Sequence, residues 1–143
     1  MQRDYVLRMI EQMALIIARL RRSILGGDPG AADDLQSEAA RHGVDLPLAK
    51  VMDVDSLLLV LSPGGYPEPA HCWLMAEMLY LDGLHAEAAG RIDESLGSYR
   101  RSLRLFLALD PRIIGGIPEA SERIAELEQR IAGLARDWDP SAA

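Results

Sequence analysis

The chain is poor in the residues that announce chemistry. It has one cysteine, Cys72, in 143 residues, which excludes an intrachain disulfide framework and suits a reducing cytosol. Of its fifteen basic residues only Lys50 is a lysine. The rest are arginines, the better partner for a carboxylate, and 22 acidic residues are available to them. Most of those arginines are therefore expected in ion pairs. Positive charge is not in excess either: the net charge of −7 argues against non-specific binding to nucleic acid or an anionic membrane. The basic runs Arg19-Arg21-Arg22 and Arg100-Arg101-Arg104 are short, and no aromatic residues interleave with them to stack on bases.

Long apolar runs are missing as well. The N-terminus is broken by Arg3, Asp4, Arg8 and Glu11, and the longest uncharged run near it, Gln12 to Ala18, is far short of the ~20 residues that span a bilayer. No signal-peptide core is legible there. These absences predict a soluble cytoplasmic protein with neither membrane nor nucleic acid as a partner.

What is present is helical periodicity. Apolar residues make up 49% of the chain, enough for one core, and the length fits a single domain over residues 1–143. Val6, Met9, Ile10, Met13, Ile16, Ile17, Leu20 and Ile24 recur in steps of three and four behind a potential cap at Asp4. Gly26-Gly27 ends that helix. Ala31 to Arg41 is a shorter, weakly amphipathic segment, and Leu46 to Val51 is ambiguous, at most a turn begun at Pro47. Asp53 or Asp55 then caps DSLLLVLS, whose consecutive apolar residues Leu57 to Leu61 require cover on nearly all sides. Long helices follow from Pro69 and from Asp93, with Gly90-Arg91 as the turn between them. A last amphipathic helix over about 118–138 starts at Pro118 and carries the stripe Ala120, Ile124, Leu127, Ile131, Leu134, Trp138. That stripe serves either the chain's own core or a seam with a second copy. The reading is all-α, with five or six helices.

The segment of about 70–111, with Gly83, Gly90, Tyr99 and Pro111 at their spacings, resembles a single tetratricopeptide helical hairpin. Ser95 and Ser102 stand where that family usually has alanine, Leu79 where it has tryptophan and Ala86 where it has tyrosine. Gly27 to Ala40 weakly echoes the turn and second helix of another repeat. The opening DYVLRMIEQM together with the hairpin is also similar to an uncharacterised bacterial family of small all-helical proteins. The tetratricopeptide resemblance implies a helix-turn-helix array acting as a protein–protein interaction or scaffolding module. It also implies a concave, ligand-facing surface formed by Glu77, Tyr80, Leu84 and Glu87, although Tyr80 and Leu84 also fit a plain core role.

Chemistry is hard to find. His71-Cys72 lacks the arginine of a phosphatase signature, since Leu79 stands in its place. His71 and His85 are fourteen residues apart, roughly 21 Å along a helix, and share no metal. Carboxylate pairs Asp33-Asp34 and Asp93-Glu94 sit at helix starts, where they complement the dipole. No catalytic residue, metal site or cofactor is legible, which points away from an enzyme. A sensor with a cavity between helices is the alternative, and an enzyme with a site assembled from distant residues is a third. A lone repeat leaves both ends of its stack uncovered, so a homodimer is expected, with the N-terminal helix or the C-terminal stripe as its seam.

Overall fold

The three-and-four spacing near the N-terminus produces α1 (Gln2–Leu25) in a computed structural model that describes residues 2–117 and 119–137. Asp4 lies within its first turn rather than at its cap. Ile10, Met13, Ile17, Leu20 and Ile24 are all buried. The chain turns at Gly27 and continues into α2 (Ala31–Arg41), which buries Ala31, Leu35 and Ala39. Arg19 ties the two helices together through Asp34 at 2.8 Å and Glu38 at 3.4 Å.

Two short helices follow, α3 (Leu46–Val51) and α4 (Val54–Val60). Each starts at an aspartate whose carboxylate accepts an otherwise orphaned backbone N–H, Asp45 from Leu48 and Asp53 from Ser56, both at 3.1 Å. Glu68 caps α5 (Pro69–Ala88) by accepting from the amides of Ala70 and His71. Then come α6 (Ile92–Ala108), the single turn α7 (Pro111–Ile114) and α8 (Ala120–Asp137). The described residues thus form eight helical segments and no strand, against five or six helices expected. The surplus lies in the shortest pieces. Asp45 and Asp110, which accepts from the Arg112 amide at 2.9 Å, make single turns viable where periodicity is too short to register.

A second expectation fails at α4. Leu57 and Leu61 are buried, but Leu59 is 78% exposed and Val60 69%. The helix rests on α6 with one side only, so the consecutive leucines cannot all be covered.

The hairpin of α5 and α6 is the centre of the molecule. Gly83 lies against the fully buried Tyr99 ring, and a methyl group at 83 would overlap it. Gly90 has φ +78°, a conformation that favours glycine, and makes the interhelical turn. The small serines of α6 let the backbones approach and satisfy polar groups of α5. Ser95 Oγ donates to the Gly83 carbonyl at 2.9 Å, and Ser102 Oγ to that of Ala76 at 2.6 Å. α8 packs most closely on α6. It buries Ala120 and Leu127 and rests Ile124, Ile131 and Leu134 on the core. Its stripe, like that of α1, is therefore used within the chain; Pro118 and Trp138 lie outside the described residues. No helix among the described residues is long and apolar enough to cross a membrane.

Candidate functional site

Glu77, Tyr80, Leu84 and Glu87 do share one face of α5, as steps of three and four require. That face is not open. Side chains of α8 reach across to it, leaving Glu77, Tyr80 and Leu84 buried and Glu87 half-buried. Arg123 holds Glu77 with two hydrogen bonds of 3.0 and 3.3 Å and stacks its guanidinium 4.1 Å from the Tyr80 ring centroid. Tyr80 donates to Glu126 at 2.6 Å and accepts from Arg21 Nε at 2.9 Å. Arg130 bridges Glu126 and Glu87, and Tyr99 donates to Glu87 at 2.7 Å.

The electrostatics of this seam follow from burial and pairing. Burial pushes the Glu77 carboxyl above its ordinary value, against the pull of Arg123. Burial would raise Glu126 too, but hydrogen bonds from Tyr80 and Arg130 hold it below its ordinary value. Burial and an acceptor carboxylate raise the phenols of Tyr80 and Tyr99, which therefore act as donors.

Two recesses flank α5. The first is a groove of about 560 Å³ between α1, α5 and the start of α8, with Ile10, Ile17, Trp73, Ile117 and Ala120 among its apolar walls. Arg21, Arg22 and Arg123 stand along it with Glu77 and Glu119. Glu77 and Arg123 neutralise each other. Arg22 is exposed, and among the described residues no carboxylate lies within 4 Å of it.

The second recess, about 650 Å³, lies between α2, α3, α5 and α6. Trp73 borders the groove and Asp82 this cleft. They are nine residues apart, about two and a half helical turns, and so project from opposite sides of α5. Lys50 Nζ lies 3.3 Å from Asp82, whose other oxygen accepts from Ser98 Oγ at 2.6 Å. Arg91 spans Glu94 at 2.9 Å and His85 at 3.3 Å. Arg101 donates Nε to the Met52 carbonyl at 2.8 Å.

Sequence reading missed this cleft because its polar residues come from four separate helices. One signal was available: Asp82 is a lone acid in the run LYLDGLH, where every position from Tyr80 to Leu84 turns out to be buried.

The remaining candidates stand apart. Cys72 is fully buried, donates to the Leu105 carbonyl at 3.4 Å, and burial pushes its thiol up to about 12. His71 sits beside the cap residue Glu68 at 3.1 Å. Among the described residues no group of three or more His, Cys, Asp or Glu side chains is arranged to hold a metal ion. Comparison with protein-family models, with curated proteins and with solved structures finds no match for the chain.

Proposed function

We propose that this chain is a non-catalytic protein–protein interaction module. In this reading α1–α2 and α5–α6 are successive tetratricopeptide-like hairpins, and α8 begins a third layer. The observation that carries it is the groove between α1, α5 and α8, the three helices that would line the concave side of such an array. Its occupant is a segment of a partner protein that offers apolar side chains to Ile17, Trp73 and Ala120 and a carboxylate to Arg22. The buried, protonated thiol of Cys72 supports the non-catalytic part, since the thiolate is the nucleophile.

A photo-crosslinking residue at Leu15, an exposed position on the groove, should attach to a partner in cells. Ala14→Glu, which places a charge in the groove, should abolish that adduct while leaving the thermal melt intact. Equal capture from position 36, in the opposite cleft, would count against the groove.

Self-association is a second reading, now with a different seam. Arg101 bonds to Met52 and Arg104 to Asp55 at 3.5 Å, so α4 and α6 run in the same sense. One turn further along lie Leu59 on α4 and Leu107 on α6, both exposed, with Val60 beside them. A two-fold pair would bury these residues against their copies. Light scattering after size exclusion at micromolar concentration should give twice 15.7 kDa, and Leu59→Glu should return the monomer. A monomeric wild type would end this reading.

A further inference from the structure

We propose that the cleft between α2, α3, α5 and α6 binds a small aliphatic monocarboxylate, with Arg101 as the residue that grips it. This site is separate from the groove and does not depend on the role given to it.

The argument begins with how Arg101 is held. Its Nε is fixed by the Met52 carbonyl at 2.8 Å. Its Nη1 lies over Gly97, where a Cβ would come within 3.0 Å, so any larger residue at 97 would crowd the guanidinium. Yet among the described residues no carboxylate is within salt-bridge distance of Arg101. Two other arginines near it, Arg91 and Arg104, have acidic partners. A half-buried guanidinium, positioned by backbone and left with its two terminal nitrogens uncommitted, is a ready donor pair for a planar bidentate acceptor.

The surroundings narrow the ligand. Lys50 is already balanced by Asp82, so it adds a donor to the cleft without adding uncompensated charge. Asp82, Asp93 and Glu94 line the same recess. A dianion such as a phosphate would meet their repulsion twice, whereas a monocarboxylate meets it once and offers the planar pair of oxygens that the Arg101 fork accepts. The other wall is apolar, with Leu35, Leu46, Pro47 and Val51 placed to take an aliphatic tail. The volume of about 650 Å³ falls inside the ~300–1,000 Å³ typical of small-molecule sites.

The test is amide NMR titration of the full chain with hexanoate, with hexanol and inorganic phosphate as controls. Hexanoate should give saturable shifts at Val51, Gly97 and Ser98, and neither control should. Arg101→Met should weaken hexanoate about tenfold or more, the loss expected for charge-assisted hydrogen bonds, whereas Arg100→Met on the exposed side of α6 should not. If Arg101→Met does not fold, Arg101→Lys provides the second readout: it keeps the charge, loses the planar two-nitrogen fork, and should weaken hexanoate by about threefold or more. Hexanol binding as well as hexanoate, displacement of hexanoate by phosphate, undiminished affinity in the folded variant, or shifts centred on Ala14 and Ala18 would each overturn the assignment.

Discussion

Helix α5 is held on two sides by opposite chemistry. Towards α1 the contact is apolar, built on Ile10, Met13, Ile17 and Leu20. Towards α8 it is ionic, built on Glu77–Arg123, Tyr80–Glu126 and Glu87–Arg130. An apolar seam loses stability in proportion to what is cut from it. A buried ionic seam behaves otherwise: removing one partner strands the other, while replacing both can cost little. The first kind of contact gives α1 its place in the core. The second gives α8 its register on α5, because Arg123, Glu126 and Arg130 each reach a different α5 residue, Glu77, Tyr80 and Glu87.

The sharpest way to break this comparison is Arg123→Met. It leaves Glu77, which is 4% exposed, with a buried charge and no partner, and should cost about 3–5 kcal/mol in urea unfolding. The double variant Glu77→Leu/Arg123→Met should recover most of that loss. Equal destabilisation of single and double variants would mean that the seam behaves as apolar packing does.

Next in size is Gly83→Ala, which forces a methyl group into the Tyr99 ring and should cost about 1–3 kcal/mol by overpacking. It acts on the α5–α6 contact and should leave the salt dependence of stability unchanged, whereas Arg123→Met should reduce it. A neutral melt for Gly83→Ala would remove the close contact from the account.

The smallest effect concerns pH. The folded Glu126 carboxyl lies below its ordinary value of 4.5, so it stabilises the fold above that pH. The contribution is lost as pH falls through the lowered folded value. Glu77 is shifted upward and has the opposite sign: its contribution is present in acid and lost as pH rises from the ordinary range through its raised value. Comparing wild type with Glu126→Gln isolates the first. The wild type should lead at neutral pH, by on the order of 1 kcal/mol or less for a partly exposed pair, and the two should converge as pH falls through the lowered folded value. A gap that widens in acid would contradict the lowered value.

The elements with long periodic stripes were legible in the sequence, and those without were not. α1, α5, α6 and α8 appear within a few residues of where apolar spacing puts them, and Gly83 and Gly90 occupy the contact and the turn that their spacing suggests. The turn held by Asp110 fell below the reach of periodicity, and the one held by Asp45 stayed ambiguous over Leu46 to Val51. The apolar run of α4 misled because composition says how much a segment would bury, and only topology decides how much it does. The same limit applies to the sites. Spacing placed Glu77, Tyr80, Leu84 and Glu87 on one face, but could not say that α8 would lie over it. Nor could it bring Lys50, Asp82 and Arg101 to one cleft, since nothing local links residues 32 and 19 positions apart.

The hydroxyl of Tyr80 belongs to two contacts at once, accepting from Arg21 on α1 and donating to Glu126 on α8. Its oxygen sits between the wall of the groove and the last helix, and the two are energetically linked through it. Undocking α8 would take away the acceptor that orients this phenol and loosen Arg21 where it stands beside the groove. By reciprocity, whatever draws Arg21 away from Tyr80 would alter the hold of α8 on its own chain by the same factor. One phenol thereby ties the position of Arg21 on the first helix to the grip of the last.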